Sequence, residues 1–186
     1  PAPATAADSA RADKVRALNA QVLQLQADAR WGNASPTASA RALAGRSTAL
    51  RALMDSDPGA AERLAFPQSV LESLAASFPE AVGSLEQRGR WSGELEYLVE
   101  DGADLKTHRA VFRLHRASDV LSIHFPGREP PGLASGKVIS VGGIRAGQSV
   151  VASEIELLDA AQDGSMTAGA EATTCGPVGP QKVVSI

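Results

Sequence analysis

Trp91-Ser92-Gly93-Glu94-Leu95-Glu96-Tyr97-Leu98-Val99-Glu100 is the stretch that decides the fold. Trp91, Gly93, Leu95, Tyr97 and Val99 alternate with Ser92, Glu94, Glu96, Leu98 and Glu100, and a period of two belongs to a strand with one covered face. Asp101-Gly102 follows as a turn. A second strand over about Lys106–Arg116 puts Ala110, Phe112 and Leu114 on one face and Arg109, Arg113 and His115 on the other. A third, Val120–Phe125, turns Leu121, Ile123 and Phe125 inward. Pro126-Gly127-Arg128-Glu129-Pro130-Pro131-Gly132 can be neither helix nor central strand. Two more strands are expected at about Lys137–Gly142 and Ser149–Leu158, joined by a turn around Arg145-Ala146-Gly147-Gln148. Five antiparallel-type strands with the long connection between the third and fourth resemble an OB-fold barrel. A small β-sandwich is the competing arrangement.

Upstream of about Gly89 the period is helical. Val15, Leu18, Val22 and Leu25 recur at three- and four-residue spacing, which places them on one face of a helix over about Ser9–Arg30. Ser35-Pro36 reads as an N-cap and first-turn pair for a second helix with Leu43, Leu50, Leu53 and Met54 on its apolar side. Pro58, Pro67 and Pro79 each open a short helical piece, because a missing N–H is harmless in a first turn. Gly89 is the expected C-cap of the last piece. The fold class is therefore α+β: a helical unit over 1–89, an OB-like barrel over 90–158, and a tail over 159–186. Residues 159–180 are Ala, Gly, Thr and Ser with few large apolar groups, and read as an exposed linker.

Charge and composition exclude several functions. The chain has 186 residues, with 18 Lys+Arg against 21 Asp+Glu and a formal net charge of −3. A nucleic-acid binder that neutralises phosphates is normally basic, and at 4% aromatics there are few rings for base stacking. No nucleic-acid or membrane partner is expected, since no apolar run approaches a membrane span. The start, Pro1-Ala2-Pro3-Ala4, lacks Met and a charged-then-apolar leader, and reads as an exported chain after signal-peptide removal, secreted or periplasmic. The last residues, Gln181-Lys182-Val183-Val184-Ser185-Ile186, read as a strand start with more protein to follow.

No catalytic constellation is visible, and the expected answer is that this chain is not an enzyme. His108, His115 and His124 fit no compact metal spacing, and strand parity turns His115 and His124 away from the core. Gly142-Gly143-Ile144-Arg145-Ala146-Gly147 precedes a strand, not a helix, and reads as a bulge and hairpin turn rather than a phosphate loop. Glu94, Glu96 and Glu100 share a strand face, and acid–base work would need a cleft that perturbs them. The single cysteine, Cys175, excludes an internal disulfide and any four-thiolate site made by this chain alone. It sits beside Gly176-Pro177, and its thiol could be offered to a metal outside the chain.

Leu53-Met54-Asp55-Ser56-Asp57-Pro58-Gly59-Ala60-Ala61-Glu62-Arg63-Leu64-Ala65-Phe66-Pro67, Leu85-Glu86 with Gly93-Glu94-Leu95-Glu96, and Gly179-Pro180-Gln181-Lys182-Val183-Val184-Ser185-Ile186 carry a resemblance. Over about residues 45–186 the chain resembles the N-terminal pro-regions of secreted bacterial zinc metallopeptidases of the gametolysin-like type. Cys175-Gly176-Pro177 is similar to the cysteine-switch signature of matrixin pro-peptides, but Thr174 and Val178 stand where that signature has Arg and Asp. The chain contains no HExxH. The resemblance implies a non-catalytic propeptide of a zymogen, a folding aid and inhibitor of a downstream peptidase domain of the same precursor. It carries no cofactor of its own, and Cys175 is the ligand offered to the zinc of that domain. The alternative is a stand-alone extracellular binding module for a glycan or a protein.

Overall fold

The computed structural model describes residues 5–33, 35–101 and 108–158. Helix α1 (Ala6–Arg30) starts three residues earlier than the periodicity predicts, because Thr5 caps it. The Thr5 hydroxyl accepts from the Asp8 backbone N–H at 3.2 Å, and the Asp8 carboxylate accepts from the Thr5 N–H at 3.2 Å. The Thr5 hydroxyl also donates to the Asp8 carboxylate at 2.7 Å, and this bond foremost, with that from the Thr5 N–H, holds the Asp8 carboxyl below its ordinary range. Helix α2 (Pro36–Ser56) begins on Ser35 as expected, although the Ser35 side chain makes no capping bond. Asp57 then caps α3 (Pro58–Leu64), accepting from Ala60 N–H at 2.9 Å. Helix α4 (Gln68–Ser77) leads into the Pro79–Ser84 piece, which is a 3-10 turn rather than an α-helix. Gly89 caps nothing: the helices end at Ser84, and Gly89 lies inside the first strand.

The strands are β1 (Gln87–Asp101), β2 (His108–His115), β3 (Val120–His124), β4 (Val138–Ala146) and β5 (Ser149–Leu157). Their hydrogen-bonded order is β1-β2-β3-β5-β4, and β4 pairs back with β1, so the pairing closes into a ring. The long β1 makes this possible. Its first half, Gln87–Glu94, pairs with β4, and its second half, Glu94–Asp101, pairs with β2. At the changeover, a Cβ on Gly93 would lie 2.3 Å from the His115 carbonyl oxygen, so only glycine fits. The expectation of an all-antiparallel sheet is corrected at one pair: β3 and β5 run parallel through Ser122↔Ser149, Ile123↔Val150 and His124↔Val151. The sheet is mixed. The Gly142-Gly143 step is a bulge, as predicted, with Gly143 so close to β5 that a Cβ would sit 2.0 Å from the Val151 carbonyl oxygen. β4 runs on through it to Ala146, four residues beyond the expected end.

Inside the ring, Leu95, Leu114, Leu121, Ile139, Val141 and their neighbours form one apolar cluster with Trp91 and Phe112. A second cluster joins Val22, Leu43, Leu71 and Leu74 within the helices. The third lies on the seam: Val15, Leu50, Leu53, Met54 and Ala61 pack on Ile144, Ala146 and Val151. Burial of each such aliphatic side chain contributes about 1.5–3 kcal/mol. Helices and strands are thus continuous through a shared core.

Two assignments to the covered face of β1 are corrected. Tyr97 is 38% exposed and Val99 54% exposed. β2 pairs with β3 only from Phe112 to His115, so the β1 residues from Leu98 onward face β2 residues that have no third strand beside them. That two-stranded end projects past the core, and parity alone no longer determines burial there. Tyr97 still touches the core edge, its ring 5.0 Å from that of Phe112.

Candidate functional site

His115 and His124 do not meet, and the side chain of His108 lies outside what the structure describes. His115 Nε2 lies 2.9 Å from Glu96 Oε2 on the neighbouring strand, with Arg113 3.5 Å away on the same carboxylate. The hydrogen bond with His115 lowers the Glu96 carboxyl below its ordinary range. Glu96 is therefore one arm of an exposed cross-strand cluster, and in that cluster it stays ionised. The other two carboxylates of that face, Glu94 and Glu100, are exposed. Among the described residues no group of three or more His, Cys, Asp or Glu is placed to hold a metal ion.

His124 points out of the strand ring as parity predicts, yet its side chain is only 13% exposed. The end of α2 covers that face. Asp55 Oδ1 sits 3.1 Å from His124 Nε2, but out of line for a hydrogen bond, which leaves this buried nitrogen without a partner among the described residues. Burial lowers the His124 pKa, opposed by the Asp55 charge and reinforced by Arg109. Arg109 itself reaches the Asp55 carbonyl oxygen at 3.4 Å.

The most heavily buried ionic group was not anticipated. Arg46 and Glu86 form a bidentate pair with side-chain exposures of 1% and 0%. Arg46 Nη2 donates to Glu86 Oε1 at 2.7 Å, Arg46 Nη1 donates to Glu86 Oε2, and Arg46 Nε donates to Asn19 Oδ1 at 2.5 Å. Glu86 Oε1 also accepts from Phe66 N–H at 2.7 Å, and the Arg46 guanidinium lies 3.8 Å over the Phe66 ring. Asn19 in turn donates to the Leu64 carbonyl at 2.8 Å. One network thereby joins α1, α2, the end of α3 and the entry to β1. The signal was present in the spacing: Arg46 falls three residues after Leu43 and four before Leu50, inside the apolar stripe.

A groove of about 390 Å³ runs between α4, the 3-10 turn and the start of β1, lined by Leu71, Glu72, Leu85, Arg88 and Trp91 among others. Its lining is apolar with carboxylates and a guanidinium, which suits contact with another surface. Arg88 is engaged there, its Nε donating to the Phe66 carbonyl at 3.0 Å. Cys175, the proposed zinc ligand, lies outside the described residues, as does the whole 159–186 tail. No helix among the described residues is long and apolar enough to cross a membrane.

No family model matches this chain, and no solved structure matches it. Over 73 residues it is 37% identical to the protein TolB homologs of Chlamydia trachomatis serovars L2, D and A. The similar stretch is 39% of this chain and 15% of each relative, so the chain covers a small part of those proteins.

Proposed function

We propose that this chain is the non-catalytic pro-region of a secreted or periplasmic metallopeptidase, a body that assists folding of a downstream catalytic domain and blocks its cleft. The observation that carries the reading is the seam. Val15, Leu50, Leu53 and Met54 from the helices share one core with Ile144, Ala146 and Val151 from the strands. The buried Arg46–Glu86 network fixes the helices to the first strand. A preformed body of this kind can template and cover a partner surface without itself rearranging. The strand order and the changeover at Gly93 support an OB-like barrel as the finer description of the sheet.

In this reading the chemistry stays with the partner domain. Residues 159–186 lead from the body to that domain, and Cys175 is the thiol offered to its zinc. Cleavage of the intervening tail releases the body and the activity with it. The test is to express the precursor with Cys175→Ser. Loss of latency supports the thiol's role. Latency unchanged removes the thiol from the mechanism, and a gene with no HExxH-bearing segment after Ile186 contradicts the pro-region reading and favours a stand-alone extracellular module.

A further inference from the structure

Trp31 is the C-cap of α1 and is 82% exposed. An indole this free of its own fold is an anomaly, because a ring of its size dominates whatever surface it is buried in. Beside it lies a cleft of about 240 Å³ lined by Ala29, Pro36, Ala40, Phe78, Pro79 and Ala81, with Glu80 on its wall. Ala29 and Gly32, which flank Trp31 in the chain, both line this cleft, so ring and cleft share one face. The Trp31 ring does not fill it, being exposed instead.

We propose that this face is the interface of a symmetric dimer of this chain, in which Trp31 of each copy enters the cleft of the other. A ring and a cleft side by side on one face are self-complementary about a two-fold axis, which a partner of any other kind would not require. The charges agree. Arg30 stands next to Trp31, Glu80 stands at the cleft, and neither has an ion-pair partner among the described residues. The same two-fold that seats the rings sets Arg30 of each copy toward Glu80 of the other. Two indoles and the walls that receive them bury on the order of 800 Å², the range of weak and reversible assemblies. Association is accordingly weak and concentration-dependent. The inference does not depend on the pro-region reading.

Sedimentation velocity of the full chain between about 1 and 500 µM tests it. The mass should double across that range, and Trp31→Ser and Ala40→Arg should each keep the chain monomeric throughout. Both positions are exposed, so neither change disturbs the core, and Trp31→Ser decides alone if Ala40→Arg fails to fold. A wild-type chain that is monomeric at every concentration overturns the proposal, and so does a dimer that persists unchanged in Trp31→Ser.

Discussion

Arg46 on α2 and Glu86 at the entry to β1 meet through two hydrogen bonds, forty residues apart in sequence, with both side chains withdrawn from water. Desolvating two charges is costly, and the cost is offset only because Asn19, Phe66 N–H and the Phe66 ring satisfy what the pair leaves open. Removing one partner strands the other. Glu86→Ala should destabilise the chain by about 3–5 kcal/mol in urea unfolding. The double change Arg46→Met with Glu86→Leu should cost less, about 1–3 kcal/mol, because the residual penalty is the Phe66 N–H and Asn19 carbonyl left without partners. Equal losses in the single and double variants would show that the pair itself is what stabilises the fold.

His124 makes stability depend on pH. Burial holds its folded-state pKa below the ordinary 6.5, so the unfolded chain binds the proton more readily. This contribution is complete above the unfolded value and is lost as pH falls through the folded one. Between about pH 7.5 and 5.5 the wild type should lose more thermal stability than His124→Gln. Asp55→Asn should deepen the loss, since the Asp55 charge now opposes the shift. An NMR titration of the His124 ring at or above the ordinary value would contradict both.

Glycines separate into those the backbone needs and those it does not. Gly143→Ala drives a methyl into the Val151 carbonyl and should cost on the order of 3 kcal/mol in thermal unfolding. Gly45, in the middle of α2, has nothing within 4 Å of a built Cβ. Gly45→Ala should therefore stabilise the chain by about 0.5–1 kcal/mol.

The seam offers a packing test. Leu53 is fully buried between α2 and the β4–β5 face, and Leu53→Ala should cost about 2–5 kcal/mol. If helices and strands unfold as one unit, far-UV and Trp91 fluorescence transitions, read in a Trp31→Phe background, will shift together in this variant; separate transitions would show that the shared core does not couple them.

The helices were legible because their signals are local. A proline in the first turn of α2, α3 and the 3-10 turn, and apolar residues at three- and four-residue spacing, need no knowledge of what packs against them, and Leu43, Leu50, Leu53 and Met54 are buried as read. The strands were legible for the same reason. The parallel β3–β5 pair was not, since a period of two is the same in either direction. Val99 was misplaced because burial at the far end of β1 depends on how many strands lie beside it, and Tyr97 because it sits at the edge where that end begins. His124 was correctly turned outward, yet the helix that covers it comes from a segment some seventy residues earlier. Arg46 shows the converse: its place in the apolar stripe was readable, but its partner Glu86 was not, because long-range pairing leaves no period in the sequence.

The most direct measurement of the central claim is inhibition in trans. Purified full chain is added to the active catalytic domain that the pro-region reading places downstream, and peptide hydrolysis is followed as the chain is titrated. The account predicts saturable inhibition, and faster recovery of activity when the unfolded catalytic domain is refolded with the chain present. Hydrolysis and refolding that proceed alike with and without the chain would contradict it.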